Sequence, residues 1–275
     1  MTSPPSLVFV HAHPDDEALF GAGSARHYAD RGARVTLVTC TRGQLGLDPA
    51  AREGDDPRHD DLDTASTRAG ELVRAAELLG FSRVVTLGYR DSGMAGWPQN
   101  AHPEAFVNAD LEATARTLGA LFDEVDARVV VTYDESGFYG HPDHVMANVV
   151  TRRAVELSNT VERLYYPVVP REVLSDFVDG ARGLGVFLPA WVVEAGTHVD
   201  ADSVATTMQV RPYAGVKQRA MATHASQVDN GDLVGMPEEL FALLFGTEYF
   251  QRAWSRARVA PGADAHDLLG GTQWA

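Results

Sequence analysis

Short apolar runs separated by longer mixed stretches set the rhythm of the first half of the chain. Residues 7–10 are apolar throughout and are followed at once by His11 and a polar cluster, which predicts a buried strand. Residues 17–31 suit a helix stopped by Gly32, and residues 35–39 predict the next strand. Strand, helix and strand within about 35 residues form the βαβ unit of a parallel sheet. Residues 67–79 carry Leu72, Ala75, Ala76, Leu78 and Leu79 on one helical side before Gly80, ahead of a strand at 84–87. A helix at 109–125, a strand at 129–133 and a helix at 142–157 follow. Residues 1–157 therefore predict an open, mostly parallel α/β sheet with helices on both faces.

Downstream the pattern loosens. Strands are expected at 165–169, 191–194 and 197–199, and helices at 175–182, 213–224 and 237–245. Residues 158–275 predict a smaller mixed region closing over one end of the sheet. No internal repeat or low-complexity linker separates the two parts, so they read as one integrated domain.

Composition narrows the function. At 275 residues and 45% hydrophobic, the chain can bury a sizeable core. A net charge of −15 argues against a nucleic-acid or anionic-membrane partner, because either needs a basic surface. The single cysteine, Cys40, excludes an internal disulfide framework and any cysteine-rich zinc module, and its apolar setting predicts a buried small hydrophobe. The N-terminus lacks the basic start and long apolar stretch of a signal peptide. The longest uncharged run, residues 183–193, is too short to span a bilayer and contains Pro189. The expectation is a cytoplasmic protein acting on a small molecule, with its oligomeric state unreadable. Residues 45–66, rich in aspartate, read either as a solvated acidic loop or as a lid over a site at the strand ends.

Two clusters carry the chemistry. His11-Ala-His13-Pro14-Asp15-Asp16-Glu17 follows the first strand, at the carboxyl end where open α/β sheets place ligands. Neighbouring aspartates repel unless a cation or strong donors compensate, and a divalent metal supplies that compensation. Helix capping alone would use one aspartate and leave the histidines unexplained. Tyr139-Gly140-His141-Pro142-Asp143-His144 again follows a strand and opens a helix, with proline at a favoured first position. Together they predict a metal shell of His13, Asp16 and His144. Two imidazoles and one carboxylate leave a position for water, the open composition of a catalytic zinc site. Asp15 would then be the general base, while His141 and Tyr139 would stabilise the oxyanion or serve the leaving amine.

The paired motifs, with Arg90-Asp91-Ser92-Gly93-Met94-Ala95-Gly96, Val131-Thr132-Tyr133-Asp134 and His224-Ala225-Ser226-Gln227-Val228, resemble the LmbE-like (PIG-L) N-acetylglucosaminyl deacetylases. The actinobacterial mycothiol-pathway deacetylases and conjugate amidases are the most similar branch. The resemblance implies a Rossmann-like fold and hydrolysis of an N-acylated amino sugar. It implies zinc on the three ligands already named, while His/Asp ligation by itself also accepts ferrous iron. It further implies that Asp143 orients its histidine neighbour, and that Arg68, Asp91 and His224 contact substrate. After Glu17 the chain reads Ala18-Leu19-Phe20-Gly21, which makes the substrate wall more apolar and also suits a secondary-metabolite tailoring deacetylase.

Three other classes compete. Gly21-Ala22-Gly23 is the only glycine-rich candidate for a dinucleotide loop, and it falls inside the expected helix. A metallophosphoesterase wants more ligands for two metals. A non-catalytic sugar-binding protein has no need of Asp15 as a free base.

Overall fold

The computed structural model describes residues 4–183, 198–227 and 231–272. Its strands are β1 (Ser6–His11), β2 (Arg34–Thr41), β3 (Arg83–Tyr89), β4 (Val129–Val131), β5 (Arg163–Pro170), β6 (His198–Val199), β7 (Thr206–Gln209) and β8 (Thr247–Ser255). The helices are α1 (Asp16–Leu19), α2 (Ala22–Asp30), α3 (Asp61–Leu79), α4 (Leu111–Glu124), α5 (Gly137–Gly140), α6 (Pro142–Leu157) and α7 (Arg171–Gly183). Further along come α8 (Ala214–Thr223), α9 (Gly231–Val234) and α10 (Glu238–Phe245).

The sheet runs β3-β2-β1-β4-β5-β8-β7, with β6 beside the end of β5. The first five strands are mutually parallel, whereas β8 joins β5 and β7 joins β8 antiparallel. From β1 the chain builds outward through β2 and β3, then returns to place β4 on the other side. The strand order therefore reverses between β1 and β4, the crevice where doubly wound sheets hold ligands. Both His/Asp clusters emerge there.

Every residue of β1 is buried, as expected of a parallel strand covered on both faces. Val8 and Val10 pack with Leu118, Phe122 and Val150 beneath α4 and α6. Leu7 and Phe9 pack with Ala25, Tyr28 and Leu72 of α2 and α3 on the other face. Cys40 is fully buried, and burial followed by the Asp143 and Asp16 charges pushes its thiol well above the usual range. A buried carboxylate ties the late strands to this core. Glu248 of β8 accepts bonds from Gly23 N, Ser24 N and Ser24 Oγ, and pairs with Lys217 Nζ of α8 at 3.0 Å.

The first expected helix is two helices. Gly21 breaks it at φ +82°, where an added Cβ would stand 2.7 Å from Phe9, so close packing against β1 imposes the break. Gly23 abuts Val210 in the same way, which assigns these glycines to packing. Helix α3 begins six residues earlier than expected, because Asp60 caps it by accepting from Asp63 N. Strands β7 and β8 are absent from the sequence reading. Half-buried antiparallel strands such as Thr247–Ser255 alternate with polar residues and show no continuous apolar run. The strand expected at 191–194 lies outside the described residues. Among the described residues, no helix is long and apolar enough to cross a membrane.

Candidate metal centre and active site

Side chains of three residues converge at the reversal of strand order. His13 Nδ1 lies 3.3 Å from His144 Nε2, and each lies 3.5 Å from an Asp16 carboxylate oxygen. Each histidine turns a lone pair inward. His144 Nδ1 donates to Gly137 O at 3.1 Å, which leaves Nε2 as the acceptor. His13 Nε2 donates to Asp143 Oδ2 at 3.2 Å, which leaves Nδ1 as the acceptor. With those tautomers His13 Nδ1, His144 Nε2 and the Asp16 carboxylate are all acceptors, a ligand set that fits a cation. Without an ion, burial is outweighed by the Asp91, Asp143 and Asp16 carboxylates, which raise the His13 pKa well above its usual value, so that a proton supplies the positive charge there. Tetrahedral zinc, with bonds of about 2.0–2.2 Å, separates its ligand atoms by about 3.4 Å. Despite burial, the His144 and His13 imidazoles hold the Asp16 carboxyl well below its usual range.

The supporting groups are equally specific. Tyr133 OH donates to Asp16 Oδ2 at 2.6 Å and accepts from Ala12 N, while its ring stacks on His144. His13 N also donates to Asp16 Oδ2, which fixes the carboxylate with Oδ2 beside His13 Nδ1 and Oδ1 beside His144 Nε2. Asp143 is fully buried and accepts from Ser92 N at 2.9 Å and from Ser92 Oγ. Among the described residues two further groupings bring metal-ligating atoms together, His13 with His141 and His144, and His13 with Asp91, His141 and Asp143; the latter uses the outward Nε2 of His13. That nitrogen already carries the proton given to Asp143.

Asp15 stands beside the ligands with its carboxylate 3.0 Å from Arg68 Nη2. Burial raises its carboxyl to about 6 against the pull of Arg68, and the neighbouring Asp16 charge adds to the rise. His141 caps α6 by accepting at Nδ1 from Asp143 N, so neutral His141 carries its proton on Nε2. Burial, with His13 and His144 adding to it, pushes His141 down to about 3. Neutral His141 is therefore a hydrogen-bond donor here. Tyr139 is 36% exposed and its ring lies 5.0 Å from that of His144; desolvation of its phenol at the pocket, with the Asp16, Asp15 and Asp91 charges, raises that phenol above its usual range.

These groups open into a pocket of about 370 Å³, within the usual range for small-molecule sites. Its polar lining includes His13, Asp15, Asp91, His141 and Gln227. Its apolar lining includes Leu19, Phe20, Met94 and Trp97.

Residues 8–155 match the family described as GlcNAc-PI de-N-acetylase, PIG-L. That span exceeds half of the chain. The chain belongs to this PIG-L family. A 1D-myo-inositol 2-acetamido-2-deoxy-alpha-D-glucopyranoside deacetylase of Actinosynnema mirum is 42% identical over 238 residues, covering 83% of this chain and 82% of that protein. Among solved structures, the N,N'-diacetylchitobiose deacetylase of Pyrococcus horikoshii aligns with TM-score 0.54 and 18% identity, covering 94% of this chain and 84% of that one. The 4-carboxy-2-hydroxymuconate hydratase of Pseudomonas putida aligns with TM-score 0.59 and 16% identity, covering 93% and 99%. At such identities the likeness is one of fold, which by itself does not choose a reaction.

Within this PIG-L chain, the fold brings His13, Asp15, Asp16, His141 and His144 together, with Tyr139 and Asp91 at the same pocket. Two expectations need correction. Asp143 orients His13, 130 residues away, and not its sequence neighbour; its carboxylate points across the switch crevice while only its backbone N–H meets His141. Arg68 does line the pocket, and its Nη atoms are also engaged by Gly43 O, Pro14 O and Asp15. His224 does not line the pocket: it is 3% exposed and bonded to Glu17. Tyr133 and Glu17 are site-supporting residues that the sequence reading quoted in motifs without giving them roles. The acidic loop is internally tied, Asp48 accepting from Ala50 N, Arg52 N and Arg52 Nε, while its Leu45, Gly46, Leu47 and Glu53 border the pocket.

Proposed function

We propose that this PIG-L protein is a metal-dependent N-deacetylase that removes the acetyl group from an amino sugar, with zinc as the resident ion and ferrous iron as the alternative. The inward-facing acceptor triangle of His13, Asp16 and His144, with Asp15 beside it, carries this reading. A divalent ion held there would supply Lewis acidity to water and to the amide carbonyl. Asp15, with its carboxyl raised to about 6, takes a proton from the attacking water. His141 Nε2–H and the Tyr139 hydroxyl donate to the carbonyl oxygen as charge builds on it. The C–N bond then breaks, and the proton held by Asp15 passes to the amine nitrogen, giving acetate and a free amino sugar. Asp91 and Gln227 in the pocket wall offer partners for sugar hydroxyls.

The relatives point to an N-acetylglucosaminyl-inositol as the first substrate to test. The experiment is mass-spectrometric detection of the free amine after incubation with zinc- or iron-loaded protein. Release of acetate supports the reading, and its absence from every N-acetylated amino sugar tried, with metal bound, removes it. A second reading, deacetylation of an acylated secondary metabolite, is favoured by the apolar lining of Leu19, Phe20, Met94 and Trp97.

A further inference from the structure

Asp15 has φ 119°, a conformation that residues with side chains rarely adopt. The structure shows what holds it. Asp15 N donates to Glu17 Oε2 at 2.9 Å, and the other Glu17 oxygen lies 2.6 Å from His224 Nε2. The Glu17 and His224 side chains are 0% and 1% exposed. His224 ends α8, whose Ala220 and Met221 pack with Ala18 of α1 and Ala75 and Leu79 of α3, so the imidazole is delivered by a packed helix. His224 Nδ1 is buried without a hydrogen-bond partner among the described residues, which makes the Glu17 bond its polar anchor. Arg68 holds the Asp15 side chain from the other direction.

We infer that Glu17 and His224 are positioning residues for the reaction: the pair clamps the Asp15 backbone in its left-handed conformation and thereby fixes the Asp15 carboxylate beside the metal ligands. Through this clamp the second half of the chain reaches the catalytic loop without touching substrate. Strained backbone persists where surrounding structure over-determines it, and displacement of a reacting group by about 1 Å can cost on the order of a hundredfold in rate. The inference rests on Asp15 acting as the base.

The test uses metal-loaded full-length Glu17→Ala, Glu17→Gln and His224→Phe, with Asp15→Ala alongside. Glu17→Ala is expected to lower kcat by roughly tenfold to a hundredfold, with KM and bound metal unchanged. Glu17→Gln keeps an acceptor for Asp15 N and is expected to recover most of that loss. His224→Phe leaves the loop intact and is expected to lower kcat without changing KM, which decides the matter if Glu17→Ala does not fold. Unchanged kcat in His224→Phe, loss of metal in Glu17→Gln, or an effect confined to KM would overturn the clamp. Full turnover in Asp15→Ala would instead remove the base assignment beneath it.

Discussion

Tyr133 OH donates to Asp16 Oδ2 at 2.6 Å while the Tyr133 ring stacks on His144 at 4.0 Å and 12°. One side chain thus orients a carboxylate and an imidazole of the same proposed metal site. Partners of this kind typically contribute about 10–100-fold to metal affinity. Tyr133→Phe keeps the stack and loses the hydroxyl. Its zinc affinity, measured by chelator competition, should fall by about that factor, with the fold retained; unchanged affinity would contradict the assignment.

Asp15 must be deprotonated to accept a proton. Its carboxyl is raised to about 6, and a divalent ion alongside pulls it down. Turnover should therefore rise with pH through a limb at or below about 6 and level off above it. Asp15→Asn should keep its metal and lose about 10²–10⁴ in kcat. An unaltered pH–rate profile in Asp15→Asn would show that another group supplies the limb.

His224 faces Glu17, Asp15 and Arg68. Burial works to lower its pKa, but the Glu17 charge and hydrogen bond and the Asp15 charge outweigh burial and Arg68, so the pKa is raised in the folded protein. A raised folded value means the stabilisation is fully present below the unfolded value, about 6.5, and is lost as pH rises through the folded one. The deficit in Tm of His224→Gln relative to the parent protein should be larger at pH 6 than at pH 9. A deficit independent of pH would contradict the charge contribution.

Lys217 and Glu248 form a buried pair that joins α8 to β8 and the start of α2. Removing one member of a buried pair leaves an uncompensated charge and costs about 3–5 kcal/mol. Glu248 keeps three other donors here, which places Lys217→Met near the lower end. Urea denaturation should show that loss, and the double variant Lys217→Met/Glu248→Gln should recover part of it.

The first half of the fold was legible because buried parallel strands write themselves as apolar runs: residues 7–10 sit within β1 and residues 35–39 within β2. The break at Gly21 was not, since it depends on Phe9 in a neighbouring layer. The convergence of His13, Asp16 and His144 was legible because two His-Pro-Asp motifs follow two strand ends, and the parallel topology brings those ends together. Its supports were not. Tyr133 on Asp16, Asp143 on His13 and His224 on Glu17 are contacts 117, 130 and 207 residues apart, set by packing that no local pattern records. His224 illustrates the difference: the motif made it noteworthy, but only the position of α8 shows that it faces Glu17 and not the pocket.

The most direct test measures bound metal and acetate release together in the parent protein, Asp15→Asn and His144→Ala, using zinc-loaded protein and an N-acetylglucosaminyl-inositol. The parent protein is expected to bind one ion and release acetate, Asp15→Asn to bind one ion without releasing acetate, and His144→Ala to do neither. Retention of both metal and acetate release by His144→Ala would contradict the proposed metal site.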